Sequence, residues 1–306
     1  MGQYGPPIAV GILAGTLARL FLLRVDFRQY PSYPQAYATH LFLGFIAAAV
    51  GAVAVPALVS RNFQAATFLI LAAQQFREVR EMERRSLSQL EETELVARGT
   101  AYIEGIAKVF EARNYLAMIC ALVSSALAYS AGRWGGLFPW LAGGAGGLLS
   151  LLLLEQVMRG EKLGDYARIR IAPLSFRGAD LYVGEIFLAN VGRAEAREVY
   201  LRAGLGAILE PVDLNARATL AHPGQRQAIA HDVAAILGVR KDADEPEFTP
   251  LVRLHHPTGR LGLVIVPLAR DEDALVEALR RIPVIEGAKR KPLAAGSGRL
   301  AARRGL

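Results

Sequence analysis

The sequence has little charge, a single cysteine and no recognisable catalytic motif, and each shortage excludes a class of protein. Charged residues make up 21% of the 306 residues, less than in an average soluble domain, whereas apolar residues make up 53%. The lone Cys120 excludes a disulfide framework, a zinc site built from several cysteines and a CxxC redox centre. No Walker-type phosphate loop, GxGxxG fingerprint, HExxH pair or Gly-x-Ser-x-Gly elbow occurs. The composition indicates a membrane protein rather than an ordinary soluble enzyme.

Four apolar stretches approach the length of about 20 residues that crosses the hydrocarbon core of a bilayer. In chain order they are Pro7–Val25, Leu41–Val59, Tyr115–Ala131 and Trp134–Leu154. The last three contain no charged residue, but the first contains Arg19 near its centre. Either this helix is shifted so that Arg19 reaches one interface, or Arg19 is buried against a carboxylate or a bound lipid phosphate. A carboxylate would come from a loop, because no predicted span contains an acid.

These stretches predict a transmembrane domain at residues 1–154, interrupted by a long helical loop at residues 60–114. That loop and the start of the C-terminal region contain more lysine and arginine than the opposite loops, so we expect both in the cytoplasm. The short apolar segment Phe63–Ala73 is predicted to be an interfacial or re-entrant helix start. A fifth span at this segment is the alternative, and it would put the C-terminal domain outside.

Pairs of small residues four positions apart occur in three of the predicted spans. They are Gly11 with Gly15, Ala47 with Gly51, and Gly143 with Gly147. Such pairs let helix backbones approach closely in lipid, where packing rather than hydrophobicity drives association. They predict close helix contacts, and a homo-oligomer or a protein partner bound through the glycine-rich helices.

The central loop is predicted to be a helical hairpin. Residues 64–98 fit one long helix that Gly99 ends, with Glu and Arg residues spaced three and four positions apart. Loop 60–114 contains eight basic and eight acidic residues, so it lacks the one-signed stripe of a nucleic-acid-binding surface. We therefore expect no nucleic-acid partner.

The second helix of the hairpin, Ala101–Ala131, runs into the third span and carries two candidate catalytic residues. Glu104 and Glu111 lie two turns apart on the same side, where they could bind a cation or act as general acid and base. The alternative is a salt-bridged helix in which Glu104 pairs with Lys108 one turn further on.

The segment Tyr102–Ala107 spells YIEGIA, and it follows the segment QQFREVR at Gln74–Arg80 and precedes RNY at Arg113–Tyr115. In this context the chain resembles the YIEGIA family of membrane proteins from endospore-forming bacteria over most of its length. The signature residues are Tyr102, Ile103, Glu104, Gly105, Ile106, Ala107, Arg113 and Asn114. The resemblance implies a multi-pass N-terminal half, a soluble C-terminal domain and a setting in sporulation, and it implies no particular reaction.

Residues 155–286 predict a soluble α+β domain, because short apolar runs alternate there with turn residues. The predicted strands are Ala167–Ala172, Leu181–Leu188, Pro250–His255 and Leu261–Leu268, with Phe176–Asp180 as a turn, Gly224–Leu237 and Asp271–Arg281 as helices, and Val199–Leu209 ambiguous. The predicted fold class is thus an α-helical membrane half, with four transmembrane helices and the helical hairpin, followed by this α+β domain.

Possible chemistry in the α+β domain lies on the helix predicted at Gly224–Leu237. A phosphate or another small anion could bind at its N-terminal amides, and the candidate residues are Gln225, Arg226, His231 and Asp232. The histidines of the domain are scattered along the sequence, so we predict no metal site and no cofactor.

The C-terminal end, residues 287–306, contains basic but no acidic residues, which predicts a disordered basic tail that binds anionic lipid. The predicted function is that of an anchor, sensor or regulator in the cell membrane or forespore membrane of sporulating cells, acting through the helical loop and a cytoplasmic C-terminal domain. The alternative is a membrane-associated hydrolase, such as a protease, that uses Glu104 and Glu111 or His231 and Asp232. A channel or transporter subunit is a third hypothesis, and it would require an oligomer.

Overall fold

The computed structural model of the protein describes residues 4–26, 34–157, 160–241 and 248–303. The chain forms two compact units. The first, called the helical unit, comprises residues 1–83 and 106–159, and the second, called the α+β unit, comprises residues 84–105 and 160–306. Part of the segment predicted as a loop of the membrane half therefore belongs to the α+β unit.

Five long helices account for the first half of the chain. They are α1 (Gly5–Asp26), α2 (Pro34–Val59), α3 (Phe63–Leu90), α4 (Thr100–Ala131) and α5 (Phe138–Val157). Among the described residues, three helical segments are long and apolar enough to cross a membrane, namely Gly5–Leu23, Tyr37–Val59 and Thr100–Ala131. The apolar helix Phe138–Leu154 is shorter. Length and composition thus support three of the four predicted spans.

Small residues let the helices of the helical unit pack closely. A methyl group on Gly51 of α2 would overlap the carbonyl oxygen of Met118 on α4. A methyl group on Gly147 of α5 would lie 2.6 Å from Cβ of Ala14 on α1. The glycine pairs of the sequence are therefore used for contacts within one chain, as expected for helix packing in lipid.

Helix α3 ends at Leu90, eight residues earlier than the predicted helix 64–98. A short 3-10 helix follows, and the Glu91 carboxylate then accepts hydrogen bonds from the amide nitrogens of Arg98 (2.8 Å) and Gly99 (2.7 Å). These bonds fold the chain back on itself, because they satisfy backbone donors that would otherwise continue a helix. Gly99 has φ +80°, a conformation that favours glycine, and α4 begins at the next residue.

The α+β unit contains two antiparallel sheets. The strands are β1 (Ala167–Ile171), β2 (Leu174–Arg177), β3 (Asp180–Val183), β4 (Ile186–Asn190), β5 (Leu205–Pro211), β6 (Leu251–His255) and β7 (Arg260–Ile265). The four-stranded sheet has the order β1-β5-β7-β6, and the three-stranded sheet has the order β2-β3-β4. The remaining helices are α6 (Leu163–Tyr166), α7 (Ala194–Ala203), α8 (Leu214–Leu220), α9 (Pro223–Leu237), α10 (Glu272–Arg281) and α11 (Gly296–Arg303).

The four-stranded sheet is covered on both faces. Alternate residues of β5 point to opposite sides, so Leu209 packs with the helices α9 and α10 while Ile208 packs with the three-stranded sheet. The α+β unit is therefore a three-layer arrangement of small sheet, large sheet and helices. This confirms the predicted α+β class of the C-terminal region.

Two local predictions in this unit are wrong. The apolar run Leu181–Leu188 is not one strand, because Gly184 adopts φ +55° and turns the chain between β3 and β4. The predicted turn Phe176–Asp180 begins with the last residues of β2, and only two residues separate β2 from β3. The ambiguous segment Val199–Leu209 contains both the end of α7 and the start of β5.

The C-terminal segment, predicted to be disordered, contains short helices as far as Arg303. It is attached to the α+β unit by an ion pair of 2.9 Å between Lys289 and Glu161. Two further bonds fix its backbone, from Arg290 N to the Thr219 hydroxyl (3.1 Å) and from Leu293 N to Oδ1 of Asn215 (3.0 Å). Specific contacts therefore order a segment whose composition predicts disorder.

Candidate functional site

The first residues of the signature are part of the α+β unit. Tyr102 is 1% exposed, and its hydroxyl donates a hydrogen bond of 3.2 Å to Oδ1 of Asp232 on α9. The backbone nitrogen of Tyr102 donates to Oε1 of Gln227, also on α9, over 3.2 Å. The first turn of α4 is thus bound to α9 by both a side chain and a backbone group.

Two glycines beside Tyr102 leave no room for a side chain. A methyl group on Gly105 would lie 2.6 Å from Cγ2 of Ile285, and a side chain on Gly99 would overlap the amide of Gln227. Ile103 is also buried. The close packing of the signature residues up to Gly105 in the α+β unit therefore accounts for the glycine at this position.

Asp232 lies in surroundings that disfavour its charge. Burial raises the pKa of this carboxyl to about 7, against the opposing effects of the Tyr102 hydrogen bond and the nearby Arg98. Near neutral pH the group is therefore divided between its neutral and charged forms.

His231 precedes Asp232 on α9 and also meets the segment before α4. Its Nδ1 lies 2.7 Å from the carbonyl oxygen of Val96, and its ring contacts the Tyr102 ring edge to face. Burial lowers the pKa of His231, although the Val96 bond opposes the shift. The neutral imidazole donates from Nδ1 to this carbonyl, so Nε2 is left as the acceptor nitrogen.

Arg98 completes the polar cluster. Its guanidinium is almost fully buried and forms an ion pair of 2.7 Å with Glu94, one turn earlier in the chain, and a longer one of 3.9 Å with Glu91. The two carboxylates compensate the buried charge of Arg98. We call Glu91, Glu94, Arg98, Tyr102, Gln227, His231 and Asp232 the signature cluster.

The signature cluster contains the parts needed to exchange a proton near neutral pH. Burial raises the pKa of Asp232 to about 7, the Tyr102 hydroxyl donates to this carboxyl, and the His231 ring contacts the Tyr102 ring. A carboxyl whose pKa is shifted to the working pH is typical of functional sites, although structural clusters also shift pKa values. The arrangement fits a proton-sensitive contact or a general acid and base.

The predicted anion site is not assembled by the structure. Gln225 is fully buried, where it accepts a bond from Ile285 N and donates to Pro283 O. His222 caps the N-terminus of α9 by accepting a bond from Gly224 N over 3.1 Å. Because these groups already have protein partners, an anion would have to displace them; Arg226 is half-buried at this end of the helix.

The two candidate catalytic glutamates have different surroundings. Glu111 lies in the helical unit, 3.5 Å from the guanidinium of Arg80 on α3. Glu104, the third residue of the signature, is half-buried and belongs to the α+β unit. The two glutamates therefore belong to different units of the chain. No group of three or more potential metal ligands occurs among the described residues.

The helical unit contains a second polar cluster that the sequence alone does not locate. Arg19 of α1 is fully buried, and its Nη2 lies 3.3 Å from Nδ1 of His40 on α2. Nε2 of His40 lies 3.9 Å from a carboxylate oxygen of Glu83 on α3. The ring of Phe110 on α4 contacts both Arg19 and His40. We call these four residues the arginine cluster.

The arginine cluster bears on the two alternatives for Arg19. Its side chain is 0% exposed and is buried among the helices of the unit, with a carboxylate in the same cluster. The acid of the cluster comes from α3, outside the four predicted spans, and acts through His40. The signature residues Arg113 and Asn114 are also buried in the helical unit. Both amide atoms of Asn114 lack a hydrogen-bond partner among the described residues.

Comparison with known proteins supports the reading of the signature. The family model described as "YIEGIA protein" matches residues 7–295, so the chain belongs to the YIEGIA family. The chain is 39% identical over 292 residues to the uncharacterized protein YphB of Bacillus subtilis (strain 168), an alignment that covers 95% of this chain and 96% of that protein. No solved structure matches the chain.

Proposed function

We propose that the protein is a membrane-anchored regulator of sporulation, in which the signature links the state of a cytoplasmic α+β domain to a helical bundle in the membrane. The observation that carries the proposal is the division of α4. Its first turn, through Gly105, belongs to the α+β unit, and the rest of the same membrane-capable helix belongs to the helical unit.

The membrane placement rests on the four apolar helices α1, α2, α4 and α5, which we propose as crossing helices. The basic residues after α5 and before α4 favour the cytoplasm for the α+β domain. The basic residues after Glu286 provide a surface for anionic lipid. The setting in sporulation rests on the family and on the relative in Bacillus subtilis, an endospore-forming bacterium. The cell membrane, including the forespore membrane, is the proposed location, and a protein partner or a second copy is the proposed target.

The signature cluster supplies a physical means of regulation. The bond between Tyr102 and Asp232 joins α4 to α9, and Asp232 is half charged near neutral pH. A partner or ligand that binds one protonation state of the cluster shifts its equilibrium by the difference in affinity for the two states. The α+β domain can thereby act on α4 without any catalysed reaction.

Complementation of a deletion strain tests the proposal. Gly105→Ala places a methyl group against Ile285, and Gly105→Ala combined with Ile285→Ala restores the space. We expect the single variant to accumulate in the membrane but to form far fewer spores, and the double variant to recover spore formation. Gly144→Ala is the matched control, since a methyl group there meets nothing within 4 Å. Normal sporulation by the single variant would contradict the link through the signature.

A membrane-associated hydrolase, such as a protease, is the second candidate. It is favoured by one observation, the Asp232 carboxyl with a pKa of about 7 in a cluster that also contains His231, whose pKa is lowered. Such a pair can act as general acid and base. Comparison of protein levels in cells that carry Asp232→Asn or the wild type tests it. A protein that accumulates as a full-length precursor in both the variant and the deletion strain would favour hydrolysis.

A further inference from the structure

Helix α3 has an outward face whose chemistry changes along its length. In its first three turns the exposed side chains include large apolar ones, namely Phe63, Phe68, Ile70 and Leu71. From Arg77 onward most exposed positions are charged or polar, as at Glu78, Arg84 and Arg85. A group of large apolar side chains this exposed marks an interaction surface.

The first half of α3 runs back along α2. Only the turn Ser60–Asn62 separates the two helices. Glu83, late in α3, lies 3.9 Å from His40, early in α2, and Phe76 shares a hydrophobic cluster with Ala47. These contacts define an antiparallel pair. The apolar turns of α3 therefore lie beside the second half of α2, which is a membrane-capable segment.

Helix α4 contacts the same part of α3 that contacts α2. The Tyr115 hydroxyl donates to the carbonyl oxygen of Ala73 over 3.3 Å, and its ring meets Phe76 at 6.2 Å. Arg80 pairs with Glu111, one turn later in α3 and one turn earlier in α4. Around Ala73 and Phe76, α3 is thus packed against two membrane-capable helices, α2 and α4.

We infer that α3 also crosses the membrane, as a fifth crossing helix, and that its outward apolar face lies against the acyl chains of lipid. Phe63–Phe76 covers about 21 Å at 1.5 Å per residue, less than the ~30 Å of hydrocarbon. The remaining distance is covered because long side chains such as Arg77 extend to the interface and the bilayer adapts locally. The polar residues that follow therefore mark the point at which α3 leaves the lipid.

The distribution of charge agrees with five crossings. We call the end of the bundle where α2 joins α3 and α4 joins α5 the turn end, and the opposite end the loop end. The two turns at the turn end contain one arginine each, Arg61 and Arg133. In the sequence, Arg28 lies between α1 and α2, and Arg84, Arg85 and Arg98 lie in the last turns of α3 or between α3 and α4. Arg159 and Lys162 follow α5. With four crossings Arg28 would share a side with Arg133, whereas five crossings place it with the other basic residues, as the positive-inside rule favours.

A fifth crossing changes the topology that the sequence predicts. An odd number of crossings places the N-terminus and the α+β domain on opposite sides of the membrane. Because the basic loop end remains in the cytoplasm, the α+β domain stays there and the N-terminus lies outside. The inference concerns the path of the chain, so it can fail without affecting the proposed role of the signature.

Three exposed serines make a matched test. Ser60 and Ser88 flank most of α3, and Ser130 lies at the end of α4. Each is changed to cysteine in the full chain with Cys120→Ala, and cells are treated with a membrane-impermeant maleimide before or after permeabilisation. Five crossings predict that Ser60→Cys and Ser130→Cys are labelled in intact cells and that Ser88→Cys is labelled only after permeabilisation. If Ser60→Cys and Ser88→Cys are labelled under the same condition and Ser130→Cys under the other, the fifth crossing is overturned.

A second measurement tests the occupant of the outward face. Phe68→Cys in the same background is exposed to an oxidant that forms disulfide bonds in membranes. With lipid on this face we expect no cross-linked dimer above the level of Leu152→Cys, another exposed position on a membrane helix. An efficient dimer through Phe68→Cys alone would overturn the lipid assignment and show that a second copy covers this face.

Discussion

The helical unit and the α+β unit bury side chains of different size. Alanine dominates the fully buried positions of the helical unit, as in Ala18, Ala47, Ala48, Ala52, Ala117, Ala121 and Ala128. Leucine, isoleucine and valine dominate those of the α+β unit, as in Leu205, Ile208, Leu209, Ile229, Val233, Leu261 and Leu263. The large side chains of the helical unit point outward instead, such as Phe42 at 62% exposed and Leu141 at 65%.

The difference in the size of the buried side chains reflects two solvents, water and lipid. In water, burial of a large aliphatic side chain is itself stabilising, so the α+β unit gathers such residues inside. In lipid the surroundings are as apolar as leucine, and helices gain stability from close backbone packing, which small residues permit. The contrast between the two interiors supports the placement of the helical unit in a membrane on grounds other than hydropathy.

The largest expected effect compares the same substitution in both units. Leu263→Ala opens a cavity in the α+β core and should lower the free energy of unfolding by about 2–5 kcal/mol. Leu152→Ala removes a side chain that is 53% exposed on α5 and should change it by less than about 0.5 kcal/mol. Urea unfolding of the detergent-solubilised protein measures both. Equal losses would refute the contrast between the two interiors.

The second-largest expected effect comes from enlarging a small side chain instead of truncating a large one. Gly51→Ala forces a methyl group into the Met118 carbonyl oxygen, and we expect a loss of about 1–3 kcal/mol from overpacking. Gly144→Ala on α5 meets open space, and its better helix propensity should stabilise by up to about 1 kcal/mol. Thermal unfolding in detergent distinguishes the two. A stabilising Gly51→Ala would show that α2 and α4 do not approach closely.

Much of the α+β unit could be predicted from its pattern of apolar residues. The helix α9 and the hairpin of β6 and β7 agree with the prediction, because alternation and turn residues are local signals. The turn at Gly184 is hidden within an apolar run, and only the glycine itself could have indicated it. The early end of α3 depends on Glu91 bonds to residues seven and eight positions away, which a helical pattern does not reveal.

The candidate sites were harder to predict, because their members come from distant parts of the chain. The sequence indicates Tyr102, His231 and Asp232 separately, but only the fold brings them together across 130 positions. Arg98 carries no motif, and its burial beside Glu94 could not be foreseen. The arginine cluster was missed for the same reason, since the Glu83 carboxylate lies in a segment that composition assigns to a solvated loop.

A smaller effect tests the charge of the signature cluster. The pKa of Asp232 is raised from 3.8 to about 7, so between roughly pH 4 and pH 7 the folded protein binds more protons than the unfolded chain. This group therefore makes stability fall as pH rises through that window. Asp232→Asn removes this contribution and keeps an acceptor for Tyr102. The stability of the variant minus that of the wild type should therefore be larger at pH 8 than at pH 5.

Unfolding temperatures of both proteins at the two pH values check this expectation. The difference between variant and wild type matters rather than either alone, because the lowered pKa of His231 makes stability fall in the opposite direction, at acid pH. A difference that is the same at pH 5 and pH 8 would show that Asp232 stays charged in the folded protein.

The smallest expected effect concerns Glu104, which is only half-buried although the signature residues on both sides of it are buried. If its carboxylate serves as the helical partner of Lys108 one turn on, Glu104→Gln should cost only about 0.3–0.5 kcal/mol. Glutamine keeps the shape and helix propensity of glutamate, so the variant should insert, accumulate and complement a deletion strain almost as well as the wild type. Lys108→Ala should behave in the same way, and Glu111→Gln, which leaves Arg80 without this carboxylate, serves as the control in the helical unit. Spore counts and the amount of each of the three variants in the membrane test this expectation. Loss of spores in Glu104→Gln at a normal protein level, with Lys108→Ala unaffected, would instead assign the carboxylate a role in binding an ion or moving a proton, because no salt bridge then explains the loss.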